Sequence, residues 1–289
     1  MGSWLAKKKG GVILEKDSKR AALFFLLTFL WTWVCYFAII LNMLDPYQGT
    51  GMVLLILGGC SPTFVGLFMA MKTNGKEERI SYLRRIYQPG RIKAVWWLFI
   101  LLVFPVIFAA AIGLDVLLGG SLPGMVNAKA IVASPLSFFP LILLSFMSGP
   151  FSEELGWRGY ALDKLLDRFG FVKGSALLGL IWGVWHLPLY FMPQTWHGQM
   201  GFGITGFWMF LLMSVGLSFL MSHVYLHTRR SILSALLMHL ASNFTAQSLA
   251  EISSRVEIFK SVLILLLGMA FAVLAARQGK GVKAAARSF

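Results

Sequence analysis

Apolar residues run along this chain in long blocks, each bounded by charged or turn residues, with little alternation inside a block. Blocks of about 20 apolar residues match the helix length needed to cross a hydrocarbon core about 30 Å thick. Eight blocks meet that measure, at roughly 21–43, 52–71, 95–119, 135–152, 175–192, 204–225, 231–250 and 257–276. The fourth is the least apolar and passes straight into charge. Unpaired backbone groups are costly in lipid, and these blocks are too long and continuous for barrel strands. The expected fold is therefore an all-α membrane protein, with about eight transmembrane helices in one bundle. On this reading residues 1–20 are a basic N-terminal segment and 277–289 a basic tail. Residues 21–276 form the polytopic domain, whose chemistry-bearing core spans about 135–250.

Composition agrees with lipid as the solvent. Of 289 residues, 57% are hydrophobic and only 13% charged, more apolar side chain than a soluble core of that size could hide. The formal charge of +14 raises the question of nucleic acid, but the bases sit in short connectors and form no stripe interleaved with aromatics. Alternate connectors hold 23 of the 26 Lys and Arg residues, which places both termini in the cytosol of a cell-membrane protein and excludes nucleic acid as the partner. The connector at 72–94, with Arg84, Arg85, Arg91 and Lys93, is expected along anionic headgroups, making membrane lipids the first partner. The basic stretch from Lys7 to Arg20 precedes a block too long for a signal-peptide core and without a small-x-small cleavage site, so it reads as a retained first span. Cys35 and Cys60 have no Cys or His at ligand spacing and read as small hydrophobes. No internal repeat supports a transporter built from inverted halves.

Ionisable residues inside apolar blocks are expensive and mark candidate chemistry. Three groups qualify. Glu153, Glu154 and Arg158 stand in Ser-Glu-Glu-Leu-Gly-Trp-Arg-Gly-Tyr at the end of the fourth block; His186 lies in Trp-Gly-Val-Trp-His-Leu-Pro in the fifth; His239 and Asn243 lie in His-Leu-Ala-Ser-Asn in the seventh. Glu154 and Arg158 are four apart, so on a helix they share a face and can pair, while Glu153 projects about 100° away and is free for other work. His239 and Asn243, also four apart, present an imidazole and an amide to one point. Counted from the cytosolic block ends, all three groups fall in the cytosolic half of the bundle. A carboxylate and an imidazole can hold and deprotonate water, and an imidazole with an amide can donate to a developing oxyanion. That set suits peptide hydrolysis.

In order, the motifs are Glu153-Glu154-x-x-x-Arg158, Trp182-x-x-x-His186 and His239-x-x-x-Asn243. Over about residues 135–250 they resemble the CPBP family, which takes in the type II CAAX prenyl endopeptidases, bacteriocin self-immunity proteins and the proteins called Abi. Trp182 departs from the phenylalanine usual in that pattern but keeps an aromatic ring. The resemblance implies an intramembrane endopeptidase acting on a peptide or lipidated protein: Glu153 and His186 activate the water, His239 and Asn243 stabilise the oxyanion, and Glu154, Arg158 and Trp182 order the site. It leaves two readings of cofactor use open, a metal-independent glutamate peptidase and a metalloprotease with a divalent metal such as zinc. A rival reading is a non-proteolytic membrane binding or bacteriocin-immunity protein that keeps the polar site; a proton-coupled transporter is a further one.

The remaining histidines are expected elsewhere. His223 and His227 are four apart, a spacing that could bind zinc, but no third ligand or Glu base accompanies them and they read as interfacial. His197, beside Trp196 in an outer connector, reads as a headgroup contact. Trp157 and Tyr160 read as packing and interface residues. No oligomeric state follows from the sequence.

Overall fold

A computed structural model describes residues 2–249 and 252–277, with side chains described from residue 15 on. Among the described residues the chain is helical and has no strand. The tail expected at 277–289 lies outside the described residues after Arg277. Helix α1 (Gly2–Leu41) runs unbroken from the basic N-terminal segment into the first apolar block.

Among the described residues, five stretches are long and apolar enough to cross a membrane: Glu15–Leu41, Ala94–Leu117, Pro135–Phe191, Thr205–His227 and Ser254–Arg277. A sixth is added if the bent pair α2 (Gly49–Gly59) and α3 (Ser61–Thr73) counts as one span. Here the block expected at 52–71 breaks by 41°. The cause is Pro62, which has no N–H for the carbonyl of Gly58. That carbonyl instead accepts from Thr32 Oγ1 of α1 at 2.8 Å, so the break is satisfied by a neighbouring helix.

The 57-residue stretch Pro135–Phe191 would be about 85 Å long as one helix, nearly three times the hydrocarbon thickness. It is broken instead into α7 (Phe138–Met147), α8 (Pro150–Gly156), a π turn (Trp157–Ala161) and α9 (Leu162–Trp185). Gly170, at φ 75°, kinks α9 through the left-handed region open to glycine. A 3-10 turn (Leu187–Phe191) with Pro188 near its start ends α9 at His186. Short α10 (Trp196–Met200) leads to α11 (Thr205–His227), α12 (Ile232–Leu249) and α13 (Ser254–Arg277). The seventh expected block does form a helix, α12, but its Ser, His, Asn, Thr and Gln residues keep it below the apolarity of the other spans.

On the side carrying the basic connectors, α4 (Lys76–Tyr87) precedes α5 (Ala94–Leu117), which short α6 (Val126–Ala133) follows. Asp163 at the start of α9 bonds Arg85 of α4 at 2.8 Å, the Tyr225 hydroxyl of α11 at 2.9 Å and Arg230 at 3.0 Å. This knot ties the first turn of α9 to three other elements. Arg85 is thus an internal tie and only partly a headgroup-facing residue, with 12% of its side chain exposed.

Candidate active site

Helix α8 carries the glutamate pair and is clamped before it contributes any chemistry. Gly156 lies so close to α3 that an added Cβ would stand 2.0 Å from the carbonyl oxygen of Pro62. Thr63 donates to the carbonyl of Phe151 and Tyr82 to that of Leu155, each at 2.8 Å. The π turn that follows is a rare, locally widened helix of the kind often found at functional sites.

Glu153, Glu154, Arg158, Trp182, His186 and His239 are all buried. The pairing expected from the four-residue spacing is present, with Arg158 Nη1 donating to Glu154 Oε1 at 2.8 Å. The same oxygen bonds Nδ1 of His239 at 2.8 Å, so Glu154 joins α8 to α12, the helix of the third motif. Glu153 points to different partners, and the indole N–H of Trp182 donates to its Oε2 at 2.5 Å.

Trp182 is the hub of the arrangement. Its ring centroid lies 5.8 Å from His186 and 5.5 Å from His239, both edge-to-face, and the guanidinium carbon of Arg158 sits 4.8 Å from it. Three separate segments therefore meet around one side chain. A phenylalanine here would lack the indole N–H, so the bond to Glu153 depends on this chain's tryptophan. Trp182→Phe keeps the ring and removes the donor to a carboxylate, a bond worth about 1.5–3 kcal/mol. A kcat reduced roughly tenfold or more, together with a lowered melting temperature, is the expected outcome of a peptidase assay and thermal unfolding on that variant.

His186 has a defined tautomer. Its Nδ1 lies 2.8 Å from the carbonyl oxygen of Trp182, which can only accept, so Nδ1 carries the hydrogen and Nε2 keeps a lone pair. The end of α9 is anchored to α1 by Trp185 Nε1 donating to Thr32 at 2.8 Å. His239, with Nδ1 on Glu154, turns Nε2 the other way. An added Cβ at Gly149 would stand 2.7 Å from that Nε2 and 3.0 Å from Nδ2 of Asn243. The imidazole and the amide therefore converge on the backbone just before α8, as the four-residue spacing requires.

Gly149 was missed by the sequence reading, although Gly-Pro directly before the glutamate pair is a turn signal. A Gly149→Ala variant would force the His239 ring or the Asn243 amide out of place. Its kcat should fall roughly a hundredfold, the scale of an ångström-sized misplacement, measured against the wild-type rate on the same peptide. His197 is a second departure. It is no headgroup contact: its ring stacks on His186. His223 and His227 stack on each other at 4.0 Å, against Trp96 and Phe271, with no third metal donor. Trp157 and Tyr160 are packing residues, and both are buried.

Among the described residues no group of three or more His, Cys, Asp or Glu is gathered closely enough to hold a metal ion. A catalytic zinc takes three protein ligands. Here Glu154 is engaged by Arg158 and His239, and Glu153 by Trp182, so the donor set does not fit such a centre.

Fold and site together define a polytopic helical membrane protein with a buried cluster of carboxylates and imidazoles and a partly exposed amide beside it. Two comparisons narrow this class. Residues 135–245, the segment that supplies every residue of the cluster, match the model of Rce1-like type II CAAX prenyl endopeptidases. The chain is also 27% identical over 234 residues to CAAX prenyl protease 2 of Methanococcus maripaludis, covering 79% of this chain and 84% of that relative. These similarities support a CAAX-type endopeptidase.

Proposed function

We propose that the protein is an intramembrane endopeptidase that hydrolyses a peptide bond in a membrane-associated, prenylated protein or peptide. The observation that carries this reading is Trp182 holding Glu153 while its own ring meets His186 and His239. Glu153 and His186 act on one water: its oxygen attacks the scissile carbonyl carbon, and its proton passes to the carboxylate or to Nε2 of His186. The carbonyl oxygen becomes an oxyanion that accepts from Nε2–H of His239 and from the Asn243 amide. Glu154 orients that imidazole through Nδ1, and Arg158 holds Glu154 in place. Collapse of the intermediate breaks the C–N bond, and the amine leaves with the proton taken from water.

In the membrane this reading has eight crossings, with residues 21–276 as the polytopic domain, 1–20 and 277–289 as cytosolic basic ends, and the site open to the cytosolic side of the cell membrane. The excess of Lys and Arg in alternate connectors supports that orientation. Membrane lipids surround the domain. The decisive experiment is proteolysis by purified protein of a peptide library in prenylated and unprenylated forms, with and without chelator. Cleavage of the prenylated set by wild type and loss of it in Glu153→Gln is the expected result. No cleavage by wild type overturns the reading in favour of a binding or immunity protein, and chelator sensitivity would overturn the metal-independent chemistry.

A further inference from the structure

His197 belongs to none of the three motifs, yet it faces the imidazole of His186. The two ring centroids are 5.1 Å apart with planes 23° from parallel, an offset stack. Every other ring on His186 meets it edge-on: Trp182 at 70°, Phe210 at 77° and Trp185 at 84°. His197 is itself wedged edge-on by Phe210 at 4.8 Å and Tyr190 at 5.3 Å. Its Nε2 is buried and makes no hydrogen bond among the described residues, so what it offers the site is the flat face of its ring.

The connector holding His197 is fastened for this purpose at two points. Thr195 Oγ1 accepts from the N–H of Gly198 at 3.0 Å and donates to the carbonyl of Leu189 at 2.8 Å. At Gly198 an added Cβ would lie 2.0 Å from the carbonyl oxygen of Met192, so the two backbone segments are in direct contact. By contrast, among the described residues the ring of His186 has one hydrogen bond, at Nδ1, and a ring hydrogen-bonded at a single atom can still swing about it. Nε2, on the opposite edge, moves most in such a swing.

We propose that His197 is a positioning residue of the peptidase site, its ring acting as the parallel wall that keeps Nε2 of His186 aimed at the water. The proposal rests on the peptidase reading above, in which His186 handles the proton. A positioning role predicts a loss in kcat with little change in KM, and recovery by any flat ring of the right size.

The test measures kcat and KM on a cleavable prenylated peptide for wild type, Glu153→Gln, His197→Ala, His197→Phe and Thr195→Val. His197→Ala should lower kcat roughly ten- to a hundredfold, the scale of a small misplacement, with KM within about threefold of wild type. His197→Phe should recover most of the rate because it restores the stack. Thr195→Val, which touches neither histidine's chemistry, should show a smaller kcat loss of about fivefold by loosening the connector. A wild-type kcat in His197→Ala, or His197→Phe as impaired as His197→Ala, overturns the proposal. The Glu153→Gln control separates the two claims: cleavage by wild type that is lost in Glu153→Gln but kept in His197→Ala sinks this inference alone. No cleavage by wild type sinks the peptidase reading and this inference with it.

Discussion

Glu153→Gln is expected to lower kcat by roughly a thousandfold or more on any substrate the wild type cleaves, the upper part of the range for losing a general base. The variant is close to isosteric, and the amide oxygen of glutamine can still accept from the Trp182 indole that now bonds Glu153 Oε2. Packing and substrate binding should therefore survive, and KM and melting temperature should stay near wild type. His186→Ala should lose a comparable factor, because the ring with its free Nε2 is the other acceptor for the water's protons. Groups that act as a unit are not additive, so the double variant should be little worse than the poorer single one. Normal cleavage by either single variant would remove both residues from the reaction.

The class of the fold was legible because it rests on a quantity that sums along the chain: apolar length against bilayer thickness. Breaks inside the spans were not, since they depend on where a freed carbonyl finds a partner. Pro62 interrupts α2 and α3, and Thr32, thirty residues earlier, accommodates the break. A scan for apolar runs passes over both. The Pro135–Phe191 stretch shows the same limit, its turns being set by Gly149, the π turn and Gly170 while its apolar content hardly changes.

Within the site, helical spacing foretold the local pairs. Glu154 and Arg158 do bond, and His239 and Asn243 do converge. Spacing also separated Glu153 from Glu154, and the two carboxylates do have different partners. Contacts between segments were out of reach of that argument. The sharing of one Glu154 oxygen by Arg158 and His239, the indole bond to Glu153 and the stack of His197 on His186 all join residues from different elements. His197 was misplaced because a Trp-His pair in an outer connector has the composition of an interfacial anchor; only the Thr195 and Gly198 contacts fold it inward.

The largest loss of stability should come from Glu154→Gln. Arg158 is fully buried, and among the described residues its one ion pair is the 2.8 Å bond to Glu154, while its Nε and Nη2 are buried with no hydrogen-bond partner. Removing the carboxylate strands a guanidinium in the bundle, a change that costs about 3–5 kcal/mol. Arg158→Met should be milder, because Glu154 keeps its hydrogen bond to His239. The double variant Glu154→Gln with Arg158→Met strands neither charge and should regain most of the melting temperature lost in Glu154→Gln alone. Activity should not return with it. His239 has lost the carboxylate that orients its ring through Nδ1, so Nε2 is no longer aimed at the oxyanion. Thermal unfolding in detergent alongside peptide cleavage reads both properties. A double variant as unstable as Glu154→Gln would show that the stranded charge is not what destabilises the bundle, and one with wild-type cleavage would separate Glu154 from the reaction.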